Sequence, residues 1–147
     1  MDRQVSLKEL LFSETAVRLN INNEPTDEIL INLQTLIYKI IEPIVNQFGD
    51  IKITSGYRSP ALCKAIGSSE NSQHTKGQAV DCEVIGVPNK ELADWIVNNL
   101  EYDQCILEFW TPDQINSGWV HVSFCKTNRK MYLRAFKSNG RTVYEVL

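Results

Sequence analysis

Histidine is scarce in this 147-residue chain: His74 and His121 are the only two. Long apolar runs are lacking as well. None approaches the roughly 20 residues needed to cross a bilayer. Charge of one sign is not in excess, since 15 basic and 18 acidic side chains leave a net charge of −3. That balance gives no electrostatic footprint for nucleic acid or an anionic membrane. The four cysteines, Cys63, Cys82, Cys105 and Cys125, are too widely spaced for a C-x-x-C zinc knuckle. A disulfide framework belongs to short secreted chains, and Met1-Asp2-Arg3-Gln4 lacks a signal-peptide core, so reduced and mostly buried thiols are expected. A target outside the cytoplasm would then need another route of delivery. No internal repeat, low-complexity tract or linker divides the chain, and residues 1–147 are expected to form one domain with a substantial core.

What is present begins with a long amphipathic stretch. From about Asp27 to Phe48, apolar residues recur at three and four, including Ile29, Leu33, Leu36, Ile40, Ile44 and Phe48. This predicts a helix, bent or split near Ile40 because Pro43 removes a backbone donor. One or two helical turns are expected within 5–20, capped by Ser13, and a further turn over 60–66. A third helix is predicted from Asn89, as its cap, to about Leu100. Strands are expected over 51–55, 79–85, 105–110 and 119–125. A terminal hairpin over 131–146 should turn at Asn139-Gly140. The expected class is α+β, helices packed on a small antiparallel sheet.

The chemistry centres on Ser72-Gln73-His74-Thr75-Lys76-Gly77-Gln78-Ala79-Val80-Asp81. His74 and Asp81 stand seven apart, which is wrong for ligands on one turn of helix. It suits a loop that doubles back at Gly77, free to take positive φ, and then enters a strand. With His121 they make a two-histidine, one-carboxylate set, the three-ligand pattern of a catalytic zinc site whose fourth position stays open. Cys82 adjoins Asp81, but strand alternation turns it to the other face. A zinc peptidase also needs a base and a positive group for the oxyanion. Glu108, on the strand before the one that carries His121, is the candidate base. Arg58, in Ser55-Gly56-Tyr57-Arg58-Ser59, is the candidate oxyanion partner. Ser72 is either a substrate hydrogen-bonder or a turn former. Tyr57 and Trp119 read as core or cleft wall.

These segments, together with Trp119-Val120-His121-Val122-Ser123, resemble the zinc D-Ala-D-Ala carboxypeptidase family. That family includes vancomycin-resistance dipeptidases and phage endolysin peptidases, and it shares its fold with the Hedgehog signalling domain. Ser13-Glu14-Thr15-Ala16, Glu42-Pro43-Ile44, Asp103 to Glu108 and Asn128-Arg129 look like its small single-domain phage and bacterial branch. The resemblance implies a Hedgehog/DD-peptidase-like fold with one Zn2+ held by His74, Asp81 and His121. It also implies Arg58 at the oxyanion, Ser72 at the substrate, and a peptidoglycan stem peptide or other D-amino-acid peptide as partner. One position departs from the pattern. Many relatives carry the catalytic carboxylate three residues before the last histidine, where this chain has Gly118. Either Glu108 takes the role, or the site holds zinc as a binding module or structural virion component. The expected reaction is carboxypeptidase or endopeptidase cleavage, at a wall reached through phage lysis or in a particle. A cytoplasmic dipeptidase is the other expectation.

Overall fold

A computed structural model describes residues 4–147; Met1 to Arg3, part of the segment read above for a signal core, lie outside the described residues. The amino-terminal turns are two short helices, α1 (Leu7–Leu11) and α2 (Glu14–Leu19), and the Ser13 hydroxyl accepts from the Ala16 N–H at 3.1 Å. The long amphipathic stretch is helical throughout but not uniform. It runs as α3 (Asp27–Leu36), a π-helical turn (Ile37–Ile41) and α4 (Glu42–Phe48). Pro43 has no N–H to give to the Lys39 carbonyl, and the helix widens just before it. Leu33, Leu36, Ile40, Ile41 and Ile44 are buried almost completely. Each such side chain contributes about 1.5–3 kcal/mol of burial, which holds the irregular turn in place.

The remaining elements are β1 (Ile51–Ser55), α5 (Pro60–Ala65), a 3-10 turn (Gln73–Lys76), β2 (Ala79–Val84) and α6 (Asn89–Asn99). They are followed by β3 (Gln104–Glu108), β4 (Trp119–Ser123), β5 (Met131–Ser138) and β6 (Arg141–Val146). Asn89 is not a side-chain cap. It is the first helical residue, and its buried amide donates to the Ser117 and Gly118 carbonyls, at 2.9 and 3.2 Å, tying α6 to the loop before β4.

The strands form one sheet in the order β1-β2-β4-β3-β5-β6. It is mixed rather than wholly antiparallel, because β5 lies parallel to β3. The 124–130 connection passes over the start of β3, so a strand that reverses against β4 must run with β3. Asp103 secures this crossing. Its N–H donates to the Ser123 carbonyl at 2.8 Å, its carbonyl accepts from the Met131 N–H at 2.9 Å, and its carboxylate grips Arg129. The Asn139-Gly140 turn has positive φ at both residues, as a tight two-residue hairpin requires.

Period-two alternation sorts the sheet into two faces. Val80, Cys82, Cys105, Leu107, Val120 and Val122 join the main core with α3, α4 and α6. The opposite face carries Asp81, His121 and Glu108. Cys63, Cys82 and Cys105 are buried free thiols, and Cys125 is a half-buried one.

Candidate metal centre

Three separate pieces of chain deliver the ligand set. Gly77 takes φ +70, which ends the 3-10 turn and sends the chain into β2; a Cβ there would also lie 2.8 Å from the Ile29 carbonyl. His74 projects from that turn. Asp81 and His121 are direct cross-strand partners on β2 and β4 and therefore share a face.

All three side chains are buried, and their nearest donor atoms lie within 4.8 Å of one another. His74 Nε2 is 3.3 Å and His121 Nδ1 is 3.0 Å from Asp81 Oδ1. Zinc ligands about 2.0–2.1 Å from a tetrahedral ion stand about 3.3 Å apart, so the spacing is that of a coordination edge. The hydrogen-bond pattern asks for a cation too. His74 Nδ1 lies 2.7 Å from the Gly56 carbonyl, which can only accept, so the proton sits on Nδ1. Nε2 then turns a lone pair toward a carboxylate oxygen. Protonating Nε2 is opposed by burial, which lowers the His74 pKa although contact with Asp81 works the other way. For Asp81, burial raises the pKa, but the contacts from His121 and His74 outweigh it and hold the carboxyl well below the usual range. Two imidazoles and one ionised carboxylate fit Zn2+.

The surroundings hold the ligands in place. Thr54 Oγ1 donates to the Asp81 carbonyl at 3.1 Å, and Ser72 Oγ accepts from the His74 N–H at 3.2 Å. The Ser72 side chain thus caps the turn that carries His74. Gln73 donates to Asp103 at 3.0 Å, linking the His74 turn to the β3–β5 crossing. Arg58 reaches Asp81 Oδ2 and Ser68 Oγ, each at 3.3 Å. Its remaining N–H groups are unspent, and the buried Nε has no partner among the described residues.

Glu108 ends β3, opposite Trp119, with Ile106 opposite His121; alternation puts Glu108 and His121 on one face, as the sequence suggested. Burial raises the Glu108 pKa, His121 lowers it, Asp81 raises it and Arg58 lowers it. Glu108 makes no ion pair among the described residues. Gly118 explains the departure at its own position. It has φ +67, and a Cβ there would lie 1.8 Å from the Glu108 carbonyl oxygen. The backbone of the strand end that carries Glu108 fills the space a side chain would need.

A cleft of about 680 Å³ opens beside Asp81 between α1–α2 and β1, walled by Phe12, Ile53, Tyr57, Arg58 and Trp119. Gly56, Ser68 and Asp103 were not singled out from sequence as site residues. Gly56 and Asp103 stood inside motifs that carried the family resemblance, and nothing local flagged Ser68.

No curated protein matches the chain. A family model described as Peptidase M15 matches residues 3–123, a span that contains the whole ligand set, Arg58 and Glu108. The chain belongs to the peptidase M15 family.

Proposed function

We propose that the protein is a zinc-dependent peptidase that hydrolyses an amide bond in peptidoglycan stem peptides. The observation that carries this reading is the buried His74–Asp81–His121 set at coordination spacing, with the Arg58 guanidinium bonded to Asp81 and the Glu108 carboxylate, which has no ion pair among the described residues, on the same face of the sheet. Zinc, when bound, supplies Lewis acidity that acidifies a water molecule and polarises the scissile carbonyl.

The chain's own groups divide the remaining work. Glu108 takes a proton from the attacking water as the new C–O bond forms, and returns it to the amide nitrogen as the C–N bond breaks. Its raised affinity for a proton suits both halves of that exchange. Arg58 donates to the oxygen of the tetrahedral centre, where charge develops, and cannot lose its own charge in doing so. Ser72 spends its lone pair on the His74 turn, and its hydroxyl proton remains free to donate to a substrate carbonyl. Tyr57 and Trp119 wall the approach and thin the water around the reacting bond.

The test is release of peptide from purified peptidoglycan by the zinc-loaded protein, beside Glu108→Ala with its zinc content measured. Release by the parent and at least a ~10²-fold loss in a still-metallated variant are expected. Mass spectrometry of the products names the bond. Zinc in both proteins and release by neither would sink the enzyme reading and leave a zinc-holding binding module or virion component.

A further inference from the structure

The Peptidase M15 match ends at Ser123, the last residue of β4, yet the sheet continues for two more strands. The continuation lies against the strand that bears Glu108. In the parallel pairing of β3 with β5, Glu108 stands beside Ala135, and in the β5–β6 pairing Ala135 stands beside Tyr144. Trp119, Glu108, Ala135 and Tyr144 therefore occupy one rung across four strands. Residues paired across a sheet share a face, so the four lie on the face that carries the metal ligands.

The rung has a distinct profile. Neighbouring strands are about 4.8 Å apart, which puts Tyr144 and Glu108 about 10 Å apart at the backbone, within reach of one peptide unit held between them. Ala135, buried between them, contributes a single methyl group, so neither side chain is crowded by a bulky neighbour on that strand. Ile106, Leu133 and Ala135 form a small buried second core on this face, which anchors the hairpin beside Glu108. Tyr144 is 56% exposed, and its hydroxyl makes no hydrogen bond among the described residues. Proximity shows in its titration as well: burial raises the Tyr144 pKa and the Glu108 charge raises it further. The cleft between α1–α2 and β1 lies on the other side of Asp81. An elongated ligand lying along that cleft and past Glu108 would run onto this rung.

We propose that the β5–β6 hairpin carries a substrate subsite, with Tyr144 donating a hydrogen bond to the peptide beyond Glu108. This rests on the stem-peptide reading and extends it, since it requires substrate on both sides of the reacting bond. Tyr144 acts on binding, not on the proton transfer.

The experiment uses the full zinc-loaded chain and stem-peptide fragments purified from digested peptidoglycan. It compares the parent with Tyr144→Phe, Tyr144→Ala and Val143→Ala, the last on the opposite face of β6. Turnover gives kcat and KM, and calorimetry with the same fragments gives Kd. Tyr144→Phe should raise KM and Kd about three- to tenfold with kcat within twofold, and Tyr144→Ala should do more. Val143→Ala should match the parent. A parent that turns over while both Tyr144 variants match it removes the subsite and leaves the peptidase standing. A fall in kcat at unchanged KM also overturns the proposal, since the phenol would then be acting on Glu108. A parent that neither binds nor cleaves the fragments takes down the peptidase reading and the subsite together.

Discussion

Single atoms decide which residues can do what in this site. One hydrogen bond, from His74 Nδ1 to the Gly56 carbonyl, selects the tautomer that frees Nε2 for a metal. One absent atom, the Cβ of Gly118, lets the end of β3 pass close against it. Gly118→Glu should therefore not supply a second base. It should cost at least ~2 kcal/mol through the positive φ and the backbone collision, read as a lowered Tm, and it should not restore hydrolysis to Glu108→Ala. The clustering of His74, Asp81 and His121 was legible in the sequence because His74, Gly77 and Asp81 sit in one short motif whose spacing suits a doubled-back loop. Glu108 was legible only as a strand neighbour. The reason for Gly118 was not legible, since it depends on how closely two backbones approach.

Short elements bordering the cleft hold the candidate ligands through their backbones. A Cβ on Gly56 would lie 2.3 Å from the Leu10 carbonyl, and Tyr57 N–H donates to that same oxygen at 2.7 Å. Helix α1 thus presses on the segment that orients His74. Gly56→Ala is expected to weaken zinc binding about 10- to 100-fold with the sheet intact, measured by competition with a chromophoric chelator alongside circular dichroism. At the β3–β5 crossing, the bonds from Arg129 outweigh the burial that opposes ionisation and bring the Asp103 pKa to about 2. The folded value lies below the unfolded one of about 3.9, so this stabilisation is complete above pH 4 and is lost as pH falls toward 2. Asp103→Asn should lower Tm at pH 7 and flatten the dependence of stability on pH between 4 and 2. Periodicity revealed the helices, and Pro43 marked where the long one changes. The parallel β5 was hidden because strand patterning says which residues share a face and not which strand lies next door.

Across the whole molecule, the candidate metal centre joins parts of the chain that are far apart in sequence. His74 lies in the turn before β2 and His121 on β4, with α6 and β3 between them in sequence, and zinc bound to the folded state alone would stabilise that state by mass action. At a thousand times Kd this amounts to about 4 kcal/mol, a Tm rise on the order of 10 °C for a chain of this size. Scanning calorimetry with zinc and with a chelator checks it, and His121→Ala should abolish the difference. The α+β class was legible from the order of patterned segments. That six strands join one sheet was not, because the crossing at Asp103 is a long-range contact with no local signature.

That crossing has a consequence for the order of events as the chain is made. Every ligand, Arg58 and Glu108 precede β5, and β1-β2-β4-β3 is already a complete antiparallel set when Ser123 has been synthesised. A chain emerging from the ribosome can close its metal centre first and dock the hairpin afterwards, with Asp103 waiting as the latch for Arg129. Until then the edge of β3 is open to any other strand, so the interval between β4 and β5 is when this protein is most exposed to mispairing.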